Sequence, residues 1–257
     1  MDSSLEILAF SPHPDDAELG CGGSLILAAD AGLRVAIADL SEGEMASRGT
    51  AEQREREKQK ATDLLGLCAR LSVGLPDTEI GTDPAHLSCM TSTGHRLPII
   101  QLVRETRPRI VLAPYWKDRH PDHAATGKLV QEACFFAGVN KVGEGHPHRP
   151  KQVYYYMLHH PFTPAFVVDI SSVWERKMAV VAAYRSQIQA EGSGLETALS
   201  RPEYMRFIKA RAIYYGAMIG AGYGEPFYSP GPAPLCGLPG LTGPPSPPGE
   251  LPPYSMY

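Results

Sequence analysis

Short runs of β-branched and aliphatic residues alternate along the chain with longer stretches whose apolar positions recur at helical spacing. The runs fall at residues 5–10, 33–40, 71–75, 109–113, 153–158 and 166–170. Each is apolar almost without interruption, as a strand buried on both faces must be. The intervening helical stretches differ in character. Residues 19–31 are small and apolar and stop at Gly32, whereas 50–67 are strongly charged, with Ala61, Leu64, Leu65 and Leu67 clustered near the end. Residues 98–105 open on proline, and 123–137 set Leu129, Val130, Ala133 and Phe136 at helical spacing. Residues 172–189 and 201–217 supply two further helices. Strand and helix alternating in this way predict an α/β fold: a doubly wound, mostly parallel sheet flanked by helices, with ligands beyond the carboxyl ends of the strands.

Composition narrows the function. With 43% hydrophobic and 20% charged residues the chain suits a globular domain. The net charge of -4 and the lack of a Lys/Arg block exclude nucleic acid as the expected partner. No run reaches the roughly 20 apolar residues of a membrane span, and Met-Asp-Ser-Ser-Leu-Glu is acidic where a signal peptide is basic. The expected location is cytoplasmic, without a membrane partner. Five scattered cysteines (Cys21, Cys68, Cys89, Cys134, Cys236) form no C-x-x-C pair and read as reduced, mostly buried thiols. From Glu225 onward the chain carries eleven of its 24 prolines, so that segment is not expected to form regular helix or a central strand. The division that follows is a domain at 1–228 and a proline-rich extension at 229–257, partly docked on its own or a neighbouring subunit.

The chemistry concentrates in two places. Directly after the first run stands Ser11-Pro12-His13-Pro14-Asp15-Asp16-Ala17-Glu18-Leu19-Gly20. A histidine, two aspartates and a glutamate at the end of a buried strand accumulate desolvated negative charge, which is expensive without a cation. A metal ion answers that cost. Asp118-Arg119-His120-Pro121-Asp122-His123 follows the fourth run and therefore emerges at the same sheet edge. A catalytic zinc keeps three protein ligands and an open position, and His13, Asp16 and His123 supply such a set.

These two blocks, with Ser41-Glu42-Gly43-Glu44 and Gly49-Thr50-x-x-x-Arg54-x-x-Glu57, resemble the LmbE-like (PIG-L) family of zinc-dependent N-acetylglucosaminyl deacetylases, which have a Rossmann-like fold. Asp118-Arg119, Ala183-Tyr184-Arg185-Ser186-Gln187 and Gly224-Glu225-Pro226-Phe227 make the chain most similar, over residues 5–228, to the bacillithiol-pathway deacetylases. The resemblance implies one Zn2+ per subunit, or another divalent transition metal, on His13, Asp16 and His123. It implies Asp15 as general base and a protonated His120 that stabilises the oxyanion and assists the leaving amine. Arg54 would contact sugar hydroxyls or the acetyl group, Arg119 a carboxylate of the aglycone, and Tyr204 the oxyanion. The implied substrate is N-acetylglucosaminyl L-malate, cleaved to glucosaminyl malate and acetate by a homo-oligomer, a trimer or hexamer.

Plainer readings stand beside these. Asp16 could cap a helix starting near Glu18, which explains one acid and not the set. Arg54 lies among Glu52, Arg56, Glu57 and Lys58 and suits a solvated face; Arg119 suits an ion pair with Asp118, and Tyr204 a core position. His146 with His148 and the pair His159-His160 are of a kind that mostly caps or is solvated and in a small fraction of cases binds metal; His86 and His95 have no partner in sequence, and Cys21 reads as packing. The alternative functions are deacetylation of another sugar, such as a chitobiose or glycoside conjugate, and carbohydrate binding without turnover. Residues 91–96 and 143–149, the expected substrate-selecting loops, carry no readable code.

Overall fold

A computed structural model describes residues 4–81, 94–188 and 196–232. Five parallel strands, β1 (Ile7–Ser11), β2 (Val35–Asp39), β3 (Ala69–Ser72), β4 (Ile110–Pro114) and β5 (Gln152–Tyr156), form most of one sheet. β6 (Phe166–Asp169) and β7 (Gly224–Tyr228) complete the order β3-β2-β1-β4-β5-β7-β6, with β7 antiparallel to both neighbours. The helices are α1 (Asp16–Asp30), α2 (Ala51–Leu65), α3 (Arg96–Thr106), α4 (Pro121–Ala137), α5 (Trp174–Val181), α6 (Arg185–Ile188) and α7 (Pro202–Met218). The chain winds from β1 out to β3, then returns to add β4 on the other side of β1. The crevice beyond β1 and β4 is thus the switch point at which such sheets bind ligands.

The continuous apolar runs are explained by two cores. Ala9, Val35 and Ile37 pack into one with residues of α1, α2, α5 and α7; Leu8, Phe10, Ala36 and Ala38 pack into the other with residues of α3 and α4. No helix among the described residues is long and apolar enough to cross a membrane. Cys21 and Cys134 are buried, Cys68 is exposed, and none of the three is paired; Cys89 and Cys236 lie outside the described residues, as do His86, residues 91–93 and the extension beyond Pro232.

Three features depart from the sequence reading. The helix expected over 172–189 is broken into a 3-10 turn (Ser171–Val173), α5 and α6. Between the latter two, the chain turns to bury Tyr184, whose hydroxyl donates to Glu18 Oε1 at 2.6 Å. Second, β7 is an inner strand despite Pro226. β5 pairs with β7 only at Tyr228 and Phe227, so its ladder ends one residue before the proline and the missing N–H has no partner opposite it there.

Third, α1 begins at Asp16 and is broken at Cys21, whose φ of -140° is not helical. The break frees backbone groups that other elements satisfy. The Leu19 carbonyl accepts from Lys177 Nζ (3.2 Å) and Arg211 Nη2 (2.7 Å). The Glu225 carboxylate, from β7, accepts from Gly23 N (2.8 Å), Ser24 N (2.7 Å) and Ser24 Oγ (2.6 Å), so it caps the second half of the helix from another element. Lys177 Nζ lies 2.5 Å from Glu225 Oε1. Just before the break, a Cβ on Gly20 would stand 2.2 Å from the Tyr156 ring, so the glycine is what lets α1 settle on β5.

Candidate active site

The loop after β1 is held from within. Ser11 Oγ donates to the His13 carbonyl (2.6 Å) and accepts from Ala17 N (3.1 Å), closing the chain around residues 12–16. Asp15 takes the N-cap place of α1 with φ 122°, a left-handed conformation costly for a residue with a Cβ, yet its side chain makes no capping bond. Helix capping therefore does not account for Asp15. On the second loop, His120 is the N-cap of α4: its Nδ1 accepts from Asp122 N at 3.2 Å, and Pro121 follows at the first helical position.

The donor atoms converge on one oxygen. Asp16 Oδ2 is 3.1 Å from His13 Nδ1 and 3.2 Å from His123 Nε2. The other nitrogen of each ring is committed elsewhere. Both oxygens of Asp118 accept backbone amides, from His120 (2.9 Å) and His159 (3.0 Å), so Asp118 is a carboxylate and His123 Nδ1, at 3.2 Å from it, is the donor. His13 Nε2 likewise faces Asp77 Oδ1 and Asp122 Oδ2, each at 3.0 Å. What remains are two imidazole lone pairs and a carboxylate oxygen turned on one another, an arrangement that repels unless positive charge lies among them.

The acidities measure that demand. Burial lowers the pKa of His13, but hydrogen bonds to Asp122, Asp16 and Asp77 outweigh it and push it up to about 12. Burial likewise opposes protonation of His123, and the charge of Asp16 with the bond to Asp118 carries it to about 9. Burial raises Asp16, yet His123 and His13 hold it far below the usual carboxylate range. Asp15 goes the other way: burial and then the charge of Asp16 push it well above that range, against the pull of Arg54. Burial, and then the charges of His123 and His13, lower the pKa of His120, whose Nδ1 accepts from Asp122 N.

A divalent cation meets the demand without the extra protons. In a tetrahedral zinc site with bonds of about 2.0–2.1 Å, donor atoms lie about 3.3 Å apart, close to the two separations around Asp16 Oδ2. The outer bonds are those that orient metal-ligating histidines, a carboxylate on the far nitrogen of each. Among the described residues the groups whose donor atoms all lie within 4.8 Å of one another are His13, His120 and His123; Asp118, His123 and His159; and His13, Asp77 and Asp122, and the expected set with Asp16 is not one of them.

A cleft of about 310 Å3 opens over these residues, lined by Asp15, Arg54, Arg119, His120 and Tyr204 among others. Arg54 therefore turns inward; its Nη1 donates to the Gly43 carbonyl and its Nε is buried without a partner. Arg119 has no ion-pair partner among the described residues, while Asp118 is occupied by the histidines. Tyr204 is buried at the cleft wall, and burial holds its hydroxyl well above its usual pKa. Sequence reasoning missed Asp77 and the part played by Asp118 and His159. Asp77, after β3, has no motif around it. His159 follows β5, the neighbour of β4, and the strand-end rule that located His13 and His123 applied to it as well.

A GlcNAc-PI de-N-acetylase (PIG-L) family model matches residues 8–134, the stretch from β1 to α4 that carries both donor loops. The conserved protein TT1542 of Thermus thermophilus, a solved structure, is 40% identical, with a TM-score of 0.80 over 93% of this chain and 100% of that one. The chain belongs to the PIG-L deacetylase family. Within the family, a diacetylchitobiose deacetylase of Thermococcus kodakarensis is 29% identical over 86% of this chain and 81% of its own length. A probable N-acetyl-alpha-D-glucosaminyl L-malate deacetylase of Bacillus anthracis is 29% identical over 55% of this chain and 64% of its own. The two donor loops of this PIG-L protein lie within the matched stretch, whereas β5, β6, β7 and the cleft residues His159 and Tyr204 lie beyond it.

Proposed function

We propose that the protein is a zinc-dependent deacetylase that hydrolyses the acetamide of an N-acetylglucosaminyl conjugate. The observation that carries this reading is the convergence of His13 Nδ1 and His123 Nε2 on Asp16 Oδ2, beside an aspartate held in strained backbone with no structural bond to make. His13, Asp16 and His123 would hold the zinc, which when bound supplies Lewis acidity and lowers the pKa of water to about 7. Asp15 takes the proton of the attacking water; burial and the charge of Asp16 raise its pKa and so make it a stronger proton acceptor. His120 Nε2–H donates a hydrogen bond to the carbonyl oxygen as negative charge develops there, and the proton held by Asp15 passes to the amine nitrogen as the C–N bond breaks and acetate forms. Arg54, close enough to act on the charge of Asp15, keeps that carboxylate basic yet ionisable and borders the acetyl end of the cleft.

For the conjugate, N-acetylglucosaminyl L-malate is the first choice. Arg119, which borders the cleft and has no ion-pair partner among the described residues, suits a carboxylate through two parallel donors, and the Bacillus anthracis relative supports it. Diacetylchitobiose is the second reading, supported by the longer match to the Thermococcus kodakarensis protein. Acetate release by the zinc-loaded protein from N-acetylglucosaminyl malate, diacetylchitobiose and N-acetylglucosamine separates them. Faster turnover of the malate conjugate is expected, faster turnover of the chitobiose installs the second reading, and no release from any of the three ends the deacetylase reading.

A further inference from the structure

His159 is fixed more firmly than a residue at a strand end needs to be. Its backbone N–H donates to Asp118 Oδ2 at 3.0 Å, and its Nδ1 lies 2.9 Å from Asp118 Oδ1. The two carbonyls before it, of Met157 and Leu158, are clamped by the buried Arg211 Nη1 at 3.0 and 2.5 Å. Its ring stacks on His123 with centroids 5.3 Å apart and planes 11° from parallel. Asp118 is a carboxylate and faces Nδ1, so Nδ1 is the donor and Nε2 the acceptor nitrogen of the tautomer that this contact selects. That nitrogen is buried and has no hydrogen-bond partner among the described residues. An orphaned buried acceptor is costly and calls for a donor.

Its place says which donor. His159, Arg119, Ala198 and Tyr204 line the cleft over the metal donors and also a second hollow, of about 360 Å3, that continues outward past Phe207. His159 stands at the threshold between the two. We infer that His159 is a specificity residue: its Nε2 accepts a hydrogen bond from an O–H or N–H of the substrate where a conjugate passes from the inner cleft into the outer hollow. This rests on the deacetylase reading and deepens it, since a bare acetamido sugar does not extend that far. The ligand class is an acetamido sugar carrying a second polar unit, with a donor next to the linkage.

His159→Asn tests it, because the amide N–H keeps a donor for Asp118 while the far side of the ring is lost. In zinc-loaded protein, kcat/KM for diacetylchitobiose and for N-acetylglucosaminyl malate is expected to fall about tenfold, the effect of one hydrogen bond, mainly through KM. The value for N-acetylglucosamine should change less than about twofold on the same reasoning, and zinc stoichiometry should stay constant. Equal losses on conjugates and free sugar, or loss of zinc, would assign His159 a structural role behind His123 and overturn the inference. Should the wild-type protein release no acetate at all, the deacetylase reading fails separately, and binding still decides this one. Calorimetric Kd values for chitobiose, the deacetylated disaccharide, should then be about tenfold weaker in the variant, and equal affinities, none in either included, overturn it.

Discussion

Replacing Lys177 by methionine probes the joint on which α1 depends. Lys177 and Glu225 are each about 2% exposed, with Nζ and Oε1 2.5 Å apart. Burial works against the ammonium and lowers its pKa, although the charge of Glu225 beside it pulls the other way. Methionine matches the aliphatic stem, so packing survives and the loss is electrostatic. Removing one partner of a buried pair costs roughly 3–5 kcal/mol because the other charge is stranded. Here the carboxylate keeps three donors, Gly23 N, Ser24 N and Ser24 Oγ, which places the expected loss at the low end, about 3 kcal/mol. At about 2–4 °C per kcal/mol for a chain of this size, Tm should drop by about 6–12 °C. Urea and thermal unfolding at fixed zinc concentration measure both, since bound metal would otherwise shift the baseline. Adding Glu225→Gln to Lys177→Met removes the stranded charge and should recover about 1–2 kcal/mol. A single-variant loss below about 1 kcal/mol, within the range of ordinary surface changes, would refute the claim that this pair carries the joint.

Three further outcomes follow from the site and its support. Asp15→Asn should keep zinc, by metal analysis, while turnover falls about 10²–10⁴-fold, the usual worth of a general base; zinc loss on this substitution but not on Asp16→Asn would reverse the division between the two aspartates. Asp118→Asn turns an amide group toward N–H donors and should weaken zinc binding about 10–100-fold in chelator competition, whereas unchanged affinity would mean that Asp118 does not orient His123. Gly20→Ala sets a methyl 2.2 Å from the Tyr156 ring and should cost at least about 1–3 kcal/mol by denaturation; a neutral result would show that α1 moves freely against β5.

How much of this could be read from the sequence depended on whether the signal was local. The β1 and β4 loops announce themselves, because acids and histidines crowded directly after buried apolar runs repel one another unless a cation joins them, and sheet winding then brings the two loops together. The carboxylates behind the histidines are a different matter. Asp77 reaches the site through the loop after β3 with no motif around it, whereas His159 stands directly after a predicted apolar run, where the strand-end rule applied and was not used. The break in α1 is equally hidden: nothing near Cys21 forbids a continuous helix, and the reason for the interruption lies some 200 residues away, in the Glu225 carboxylate. Pro226 misled for the opposite reason. A local rule about proline was applied where the register of β5 had already run out.

The reversed direction of β7 settles which end of the sheet the described chain reaches after its last strand. Because β7 runs against β5, the chain departs from Phe227 toward the start of β5, and residues Ser229, Pro230, Gly231 and Pro232 border a hollow shared with Arg149, Pro150 and Lys151. That is the end of the sheet opposite the cleft. The fold thus sets the cleft at one pole and the last described residues, Ser229 to Pro232, at the other. Immobilising the enzyme through a tether joined after Pro232 would leave the mouth facing solution, whereas a tether on the loop after β4 would block it.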